Sequence, residues 1–121
     1  MKNFRTILLQ IIDVMGVPTL KEWEVDDFLA MAEVEAMLDL IEALPKDRQR
    51  PMIHQMMSTF NKTPDEVEQI FSRYYTHAQM KEAVITRTKK YIAKKVVDPH
   101  RKELSPAQYD SILALLNKLT Y

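Results

Sequence analysis

Apolar residues recur every three to four positions along most of the chain, which is the spacing of helices that bury one face. In the first segment Phe4, Leu8, Ile11 and Met15 share such a face. The same periodicity predicts six helices, over residues 3–15, 20–44 with a start at Leu20 or a little later, 51–60, 64–75, 77–97 and 106–119. No segment alternates apolar and polar residues as a half-buried strand does. The sequence therefore predicts an all-α fold, a single-domain bundle of five or six helices with short loops over residues 1–121.

Helix ends are marked by short polar motifs. A Ser or Thr precedes Glu or Gln by three positions four times, the pattern of a capping box at a helix start. These residues are Thr19, Thr63, Thr76 and Ser105. The single glycine, Gly16, is the expected C-cap of the first helix, because glycine adopts the left-handed conformation without steric cost. Pro51 is expected to open the third helix, since an interior proline costs about 3 kcal/mol.

The second predicted helix, residues 20–44, is the longest, and its large apolar side chains are expected to face inward. They are Phe28, Met31, Val34, Met37, Leu38, Ile41 and Leu44. Trp23 lies before this stripe. If exposed, it is a candidate anchor for a partner, and if buried, it is a staple between the first two helices.

Methionines cluster on the short third helix, at Met52, Met56 and Met57. Flexible thioethers suit adaptable binding grooves, but at helical spacing they also serve as ordinary core filler. Both interpretations stay open. If the chain has a hydrophobic partner-binding site, we expect it at these three residues.

Charge is balanced in total and divided along the chain. With 17 basic and 17 acidic residues the net charge is zero, which excludes a globally basic nucleic-acid coat. Residues 1–44 contain three bases and nine acids, whereas residues 45–121 contain 14 bases and eight acids. The fifth helix and the connection after it form a candidate anion- or partner-binding surface. Its members are Arg87, Lys89, Lys90, Tyr91, Lys94, Lys95, Arg101 and Lys102.

Three interpretations of this basic surface stay open. In the first, the basic face has no partner outside the chain, because it is solvated or pairs across the bundle with the acidic stripe Glu35, Asp39 and Glu42. In the second, it binds nucleic acid, with Tyr91 stacking on a base. In the third, it docks an acidic protein partner.

Catalytic and metal-binding patterns are missing from the sequence. His54, His77 and His100 lie on separate segments without a second ligand at helical spacing. There is no cysteine and only one glycine, so disulfides, thiol catalysis and glycine-rich phosphate loops are excluded. No uncharged apolar run reaches the roughly 18 residues of a membrane span. We expect a soluble, cytoplasmic protein without cofactor, metal or catalytic site, and without a membrane role.

Residues 53–97 are loosely similar to the helical C-terminal, substrate-holding part of trigger-factor chaperones. The similarity covers about a third of the chain and rests on generic helix-hairpin residues. These are Met56, Met57, Phe60, Pro64, Glu66, Val67, Phe71, Tyr74 and Met80. The resemblance implies client binding at the methionine-rich helix, and it transfers no functional residue.

Together these features predict a small, non-enzymatic helical interaction or regulatory protein. It is expected to dock a macromolecular partner, in the first place a protein, through its basic helix, its methionine-rich helix or both. The alternative is nucleic-acid binding through the basic helix, residues 77–97. Association with a second copy of the chain is a further alternative.

Overall fold

The periodic apolar segments form six α-helices in the computed structural model, which describes residues 1–57 and 63–121. The helices are α1 (Phe4–Met15), α2 (Glu22–Glu42), α3 (Lys46–Met57), α4 (Pro64–Phe71), α5 (His77–Ile92) and α6 (Pro106–Leu116). No strand occurs in these two ranges, so the all-α prediction is confirmed. Phe60, the predicted end of the third helix, lies outside the described residues. No described helix is long and apolar enough to cross a membrane.

Most helix ends are fixed by the predicted caps. The hydroxyls of Thr63, Thr76 and Ser105 each accept a hydrogen bond from the backbone N–H three residues later, at 3.1 to 3.3 Å. Gly16 adopts φ = 65°, and its N–H donates to the carbonyl of Ile12. The chain therefore leaves α1 in the left-handed conformation that favours glycine.

The helix α2 begins slightly after Leu20, as expected, but its cap differs from the prediction. The helix begins at Glu22 with Lys21 as N-cap, and Glu24 accepts a hydrogen bond from the Lys21 N–H at 3.3 Å. Thr19 caps nothing, and its buried hydroxyl has no hydrogen-bond partner among the described residues. The chain stays non-helical up to Lys21 because Val17 and Leu20 pack against the core from this segment.

The prediction that Pro51 opens the third helix is also wrong, because α3 begins at Lys46 and contains the proline. Pro51 removes the donor of a single backbone hydrogen bond in the second turn. The Gln49 amide holds this turn against the end of α2, donating to the carbonyls of Glu42 at 3.1 Å and Leu44 at 2.7 Å. The complete burial of Met52 anchors the next turn.

The described side chains form two hydrophobic clusters that share α2. The larger lies among α1, the part of α2 from Val25 to Ala36, α5 and α6, and it centres on Leu8, Ile11, Ile92 and Ile112. The smaller lies among the end of α2, α3 and α4. Its members are Ile41, Leu44, Met52, Ile70 and Phe71. Because α2 contributes to both clusters, its outer face runs across the length of the bundle.

Helix α2 buries the face opposite to the predicted one over most of its length. Its packing is most extensive with α5, and Val25, Ala32 and Ala36 are completely buried. Small side chains let two helix axes approach closely, and this closeness favours burial of the alanine face. Of the predicted inward residues, Ile41 and Leu44 are buried, and Phe28 and Met37 are partly buried. Met31, Val34 and Leu38 are exposed, which corrects the prediction.

The fifth predicted helix is not α-helical to its end. The α-helical part ends at Ile92 rather than at the predicted residue 97, and a π-helical turn (Ala93–Val97) and a 3₁₀ segment (Asp98–Glu103) follow. A π turn accommodates one extra residue. The neighbouring Val96 and Val97 are consequently both buried in the larger cluster.

Candidate partner-binding site

Three large apolar side chains on α2 point into solvent. Met31, Val34 and Leu38 are 50%, 46% and 48% exposed. Their i, i+3, i+7 spacing places them on one face of the helix, opposite the buried alanines. We call these three residues the α2 ridge. Trp23, the residue proposed as an anchor if exposed, is indeed exposed, and it lies about 22 Å from Leu38 along the helix at 1.5 Å per residue.

An apolar groove of about 490 Å³ runs beside the ridge. Four helices supply its apolar walls, and Tyr121 also lines it. The apolar lining residues are Ala30, Val34, Met37, Leu40, Met56, Val67, Phe71, Met80, Val84 and Tyr121. Val34 belongs to both surfaces, so the ridge forms one edge of the groove. Met37, Met56 and Met80 supply three flexible thioethers, which adapt to irregular apolar side chains.

The polar side chains around the groove are held by partners within the chain. Glu33 pairs with Lys2 at 3.8 Å, and the Nδ1 atom of His77 lies 2.9 Å from a carboxylate oxygen of Glu68. The ammonium group of Lys81 lies over the ring of Tyr121, 5.6 Å from its centroid. The groove is therefore lined mainly by apolar side chains, with a few polar ones that already have partners, a composition typical of ligand-binding sites.

Carboxylates flank the other side of the ridge, where Arg87 reaches across from α5. The guanidinium binds Asp39 in a bidentate pair, with Nε 2.5 Å from Oδ2 and Nη2 also bonded to Oδ1. The hydrogen-bonded Asp39 carboxylate raises the pKa of Arg87, burial opposes the rise, and the charges of Glu35 and Glu42 add to it. One cation therefore lies among three carboxylates, and this side of α2 stays negative.

The residues of the predicted basic surface fall into two groups, those with a partner inside the chain and those without an ion pair among the described residues. Four of the eight residues are engaged within the chain. Arg87 pairs with Asp39, Lys89 donates to Asn117 at 2.7 Å, Tyr91 packs on Phe28 with ring centroids 4.8 Å apart, and Arg101 lies over Tyr109. The other four are exposed and form no ion pair in residues 1–57 and 63–121. These are Lys90, Lys94, Lys95 and Lys102.

The three methionines of the predicted hydrophobic site have different environments. Met52 is completely buried in the smaller cluster and is a core residue. Met56 lines the groove. Met57 is the last residue of α3, and its side chain is outside the described part of the structure. Of the three predicted residues, Met56 is therefore the one that the structure places at the groove.

The other walls were missed because they come from segments distant in sequence. Val67 and Met80 each belong to an ordinary amphipathic pattern, and only the packing of α4 and α5 beside α2 brings them to one cavity. A local signal for the ridge did exist. Ala32 and Ala36 mark a second, small-residue stripe on α2, opposite to the large apolar one.

The described residues hold no group of three His, Cys, Asp or Glu side chains able to bind a metal ion. His54 is exposed, His77 contacts Glu68, and His100 lies 3.1 Å from a carboxylate oxygen of Glu103.

Comparison with protein-family models, curated proteins and solved structures finds no significant match to this chain. The resemblance of residues 53–97 to trigger-factor chaperones gains no support from these comparisons.

Proposed function

We propose that this chain is a non-enzymatic interaction protein that binds an amphipathic helix of a partner protein. The partner helix lies along the α2 ridge and inserts apolar side chains into the groove. The observation that carries the proposal is the orientation of α2, which buries Ala32 and Ala36 and turns Met31, Val34 and Leu38 to solvent.

The continuity of the two surfaces supports this function. Single exposed apolar residues are ordinary on protein surfaces, whereas a contiguous apolar patch with a polar rim is typical of interaction sites. Val34 joins the ridge to the groove, and the combined surface follows the axis of α2. Helices bind such grooves through apolar residues at i, i+3, i+4 and i+7.

Nucleic-acid binding through the basic helix has less support. Arg87 is held by Asp39, and Tyr91 is packed on Phe28 rather than free to stack on a base. The lysines of the predicted basic surface that form no ion pair with the described residues are exposed. Tyr91 is the only aromatic residue of that predicted surface, so the surface offers no other ring to stack on a base. The proposal keeps the cytoplasmic location expected for a chain without cysteine.

The first test uses a fluorescent amphipathic peptide of about 18 residues, which forms a helix of about 27 Å and so extends beyond both ends of the ridge, about 10 Å long. Leucines occupy one face, and the other face carries only glutamine. Anisotropy titration should show saturable binding, and Val34→Gln should weaken it about fivefold, because docking completes the burial of a half-exposed side chain.

Leu113→Gln is the matched control. Leu113 is a comparably exposed leucine on α6, away from the ridge and the groove. The control should bind the peptide as the unmodified protein does. Absence of binding to the unmodified protein, or equal weakening by both substitutions, contradicts the proposed function.

A further inference from the structure

We propose that the partner helix is basic, with Lys or Arg residues beside its apolar stripe that contact Glu35 and Glu42. This inference rests on the proposed function, and it specifies the chemistry of the occupant. Helix α2 contains eight acidic residues and no basic residue. The position of these carboxylates relative to the ridge decides which of them are available to a partner.

The carboxylates that face neighbouring helices are neutralised within the chain. Arg5 reaches Glu22 at 3.4 Å and Asp26 at 3.2 Å, Lys2 reaches Glu33, and Arg87 holds Asp39. All three cations come from the flanks of α2, where α1 and α5 pack. They leave the solvent side of α2 without a counter-charge.

The carboxylates on the ridge side have no such partner. Asp27, Glu35 and Glu42 form no ion pair with any residue in the described ranges. Glu35 and Glu42 lie within electrostatic reach of Arg87, whose pKa they help to raise, but its bidentate hydrogen bonds go to Asp39. A ligand that covers Leu38 therefore passes beside two carboxylates that form no ion pair of their own in the described ranges.

The spacing of these charges matches a helix. Glu35 and Glu42 are seven residues apart and flank Leu38, so they lie about 10 Å apart along α2. Basic residues seven positions apart on a partner helix have the same separation. Paired helices commonly place opposite charges in this way on either side of an apolar seam.

The same charges disfavour other occupants of the ridge. A second copy that docked through its own α2 would bring carboxylates of both copies together, with no base on either helix to separate them. A nucleic acid or an anionic membrane would meet the same repulsion. A basic amphipathic helix is the occupant whose apolar and charged parts both match.

The test compares three versions of one amphipathic peptide that share the leucine face and carry lysine, glutamine or glutamate beside it. At low salt the lysine peptide should bind about fivefold more tightly than the glutamine peptide, and the glutamate peptide more weakly than both. The preference should shrink as salt is raised, because partly exposed charge pairs are screened.

A double substitution, Glu35→Gln with Glu42→Gln, should abolish the preference for lysine and leave the affinity for the glutamine peptide unchanged. Glu82→Gln with Asp110→Asn removes the same charge from exposed positions on α5 and α6, and it should retain most of the preference. This control separates local contacts from the effect of net charge.

Each alternative outcome identifies which inference fails. Equal affinity for the lysine and glutamate peptides, or a preference that survives the Glu35 and Glu42 substitutions, overturns the basic-partner inference alone. Failure to bind any of the three peptides overturns the proposed function with it. A dimer in sedimentation experiments that Leu38→Gln dissociates would assign the ridge to a second copy and overturn the inference.

Discussion

Replacing Met31 and Leu38 of the α2 ridge by glutamine should separate binding from folding. Complete burial of a Met or Leu side chain is worth about 1.5 to 3 kcal/mol. Because each of these side chains is already half-buried in the free protein, docking should gain about 1 kcal/mol from each. The two residues lie about 10 Å apart along the helix, so their effects should add.

The double variant should therefore bind the neutral amphipathic peptide about 30-fold more weakly, corresponding to about 2 kcal/mol. Its free energy of unfolding should stay within about 0.5 kcal/mol of the unmodified protein, since the substitutions are exposed and glutamine favours helices. Anisotropy titration measures the first quantity, and urea unfolding followed by circular dichroism measures the second.

Two results would refute this reasoning. A loss of more than about 1.5 kcal/mol of unfolding free energy, the size expected when core side chains are replaced, would mean that the ridge packs within the fold. Unchanged stability with unchanged affinity would mean that the ridge has no part in docking. Leu113→Gln should leave both quantities unaltered and so controls for the loss of any exposed leucine.

Three further substitutions test the fold around the site. Gly16→Ala should lower the unfolding free energy by about 1 kcal/mol. The cause is backbone strain alone, because a Cβ at this position would meet no atom within 4 Å. An unchanged urea midpoint would contradict this prediction. Thr88→Val should raise the melting temperature by about 4 °C, since the buried Thr88 hydroxyl has no hydrogen-bond partner among the described residues. A variant that melts below the unmodified protein would contradict this and show that the hydroxyl is hydrogen-bonded. Tyr75 donates to the Leu40 carbonyl, and burial raises the pKa of its phenol above the ordinary value. Tyr75→Phe should cost about 1 kcal/mol at neutral pH. As a raised pKa makes stability fall when pH rises through it, the variant should lose less stability than the unmodified protein in alkaline urea titrations.

Local hydrogen bonding explains which helix ends were predictable. Thr63, Thr76 and Ser105 need only a backbone N–H three residues away, so the motif and the contact coincide. Thr19 carries the same motif, but packing of neighbouring residues keeps the chain extended until Lys21. A cap is therefore predictable where no tertiary contact competes with it.

The buried face of α2 was predicted wrongly because hydrophobic patterns weight large side chains. Met31, Val34 and Leu38 dominate that pattern, while Ala32 and Ala36 contribute little to it. Which face is buried depends on the surface of α5, and close approach favours the alanines. The sequence contained both stripes, and only the tertiary packing distinguishes the core face from the exposed one.

The basic surface shows the same dependence on distant residues. Arg87 and Lys90 lie on the same face in a helical projection, but Asp39, 48 residues before Arg87, binds Arg87 and not Lys90. The pairing of the basic helix with the acidic stripe was among the interpretations that the sequence left open. The structure places one such pair at Arg87, and the exposed lysines remain without an assigned partner.

Chemical-shift mapping of the isotope-labelled protein with the lysine-flanked peptide would locate the binding surface directly. The proposed function predicts that shifted amides cluster on α2 between Met31 and Glu42 and on the groove walls near Met56 and Val67. Shifts confined to the segment from Lys90 to Lys102, or no shifts at a saturating peptide concentration, would contradict it.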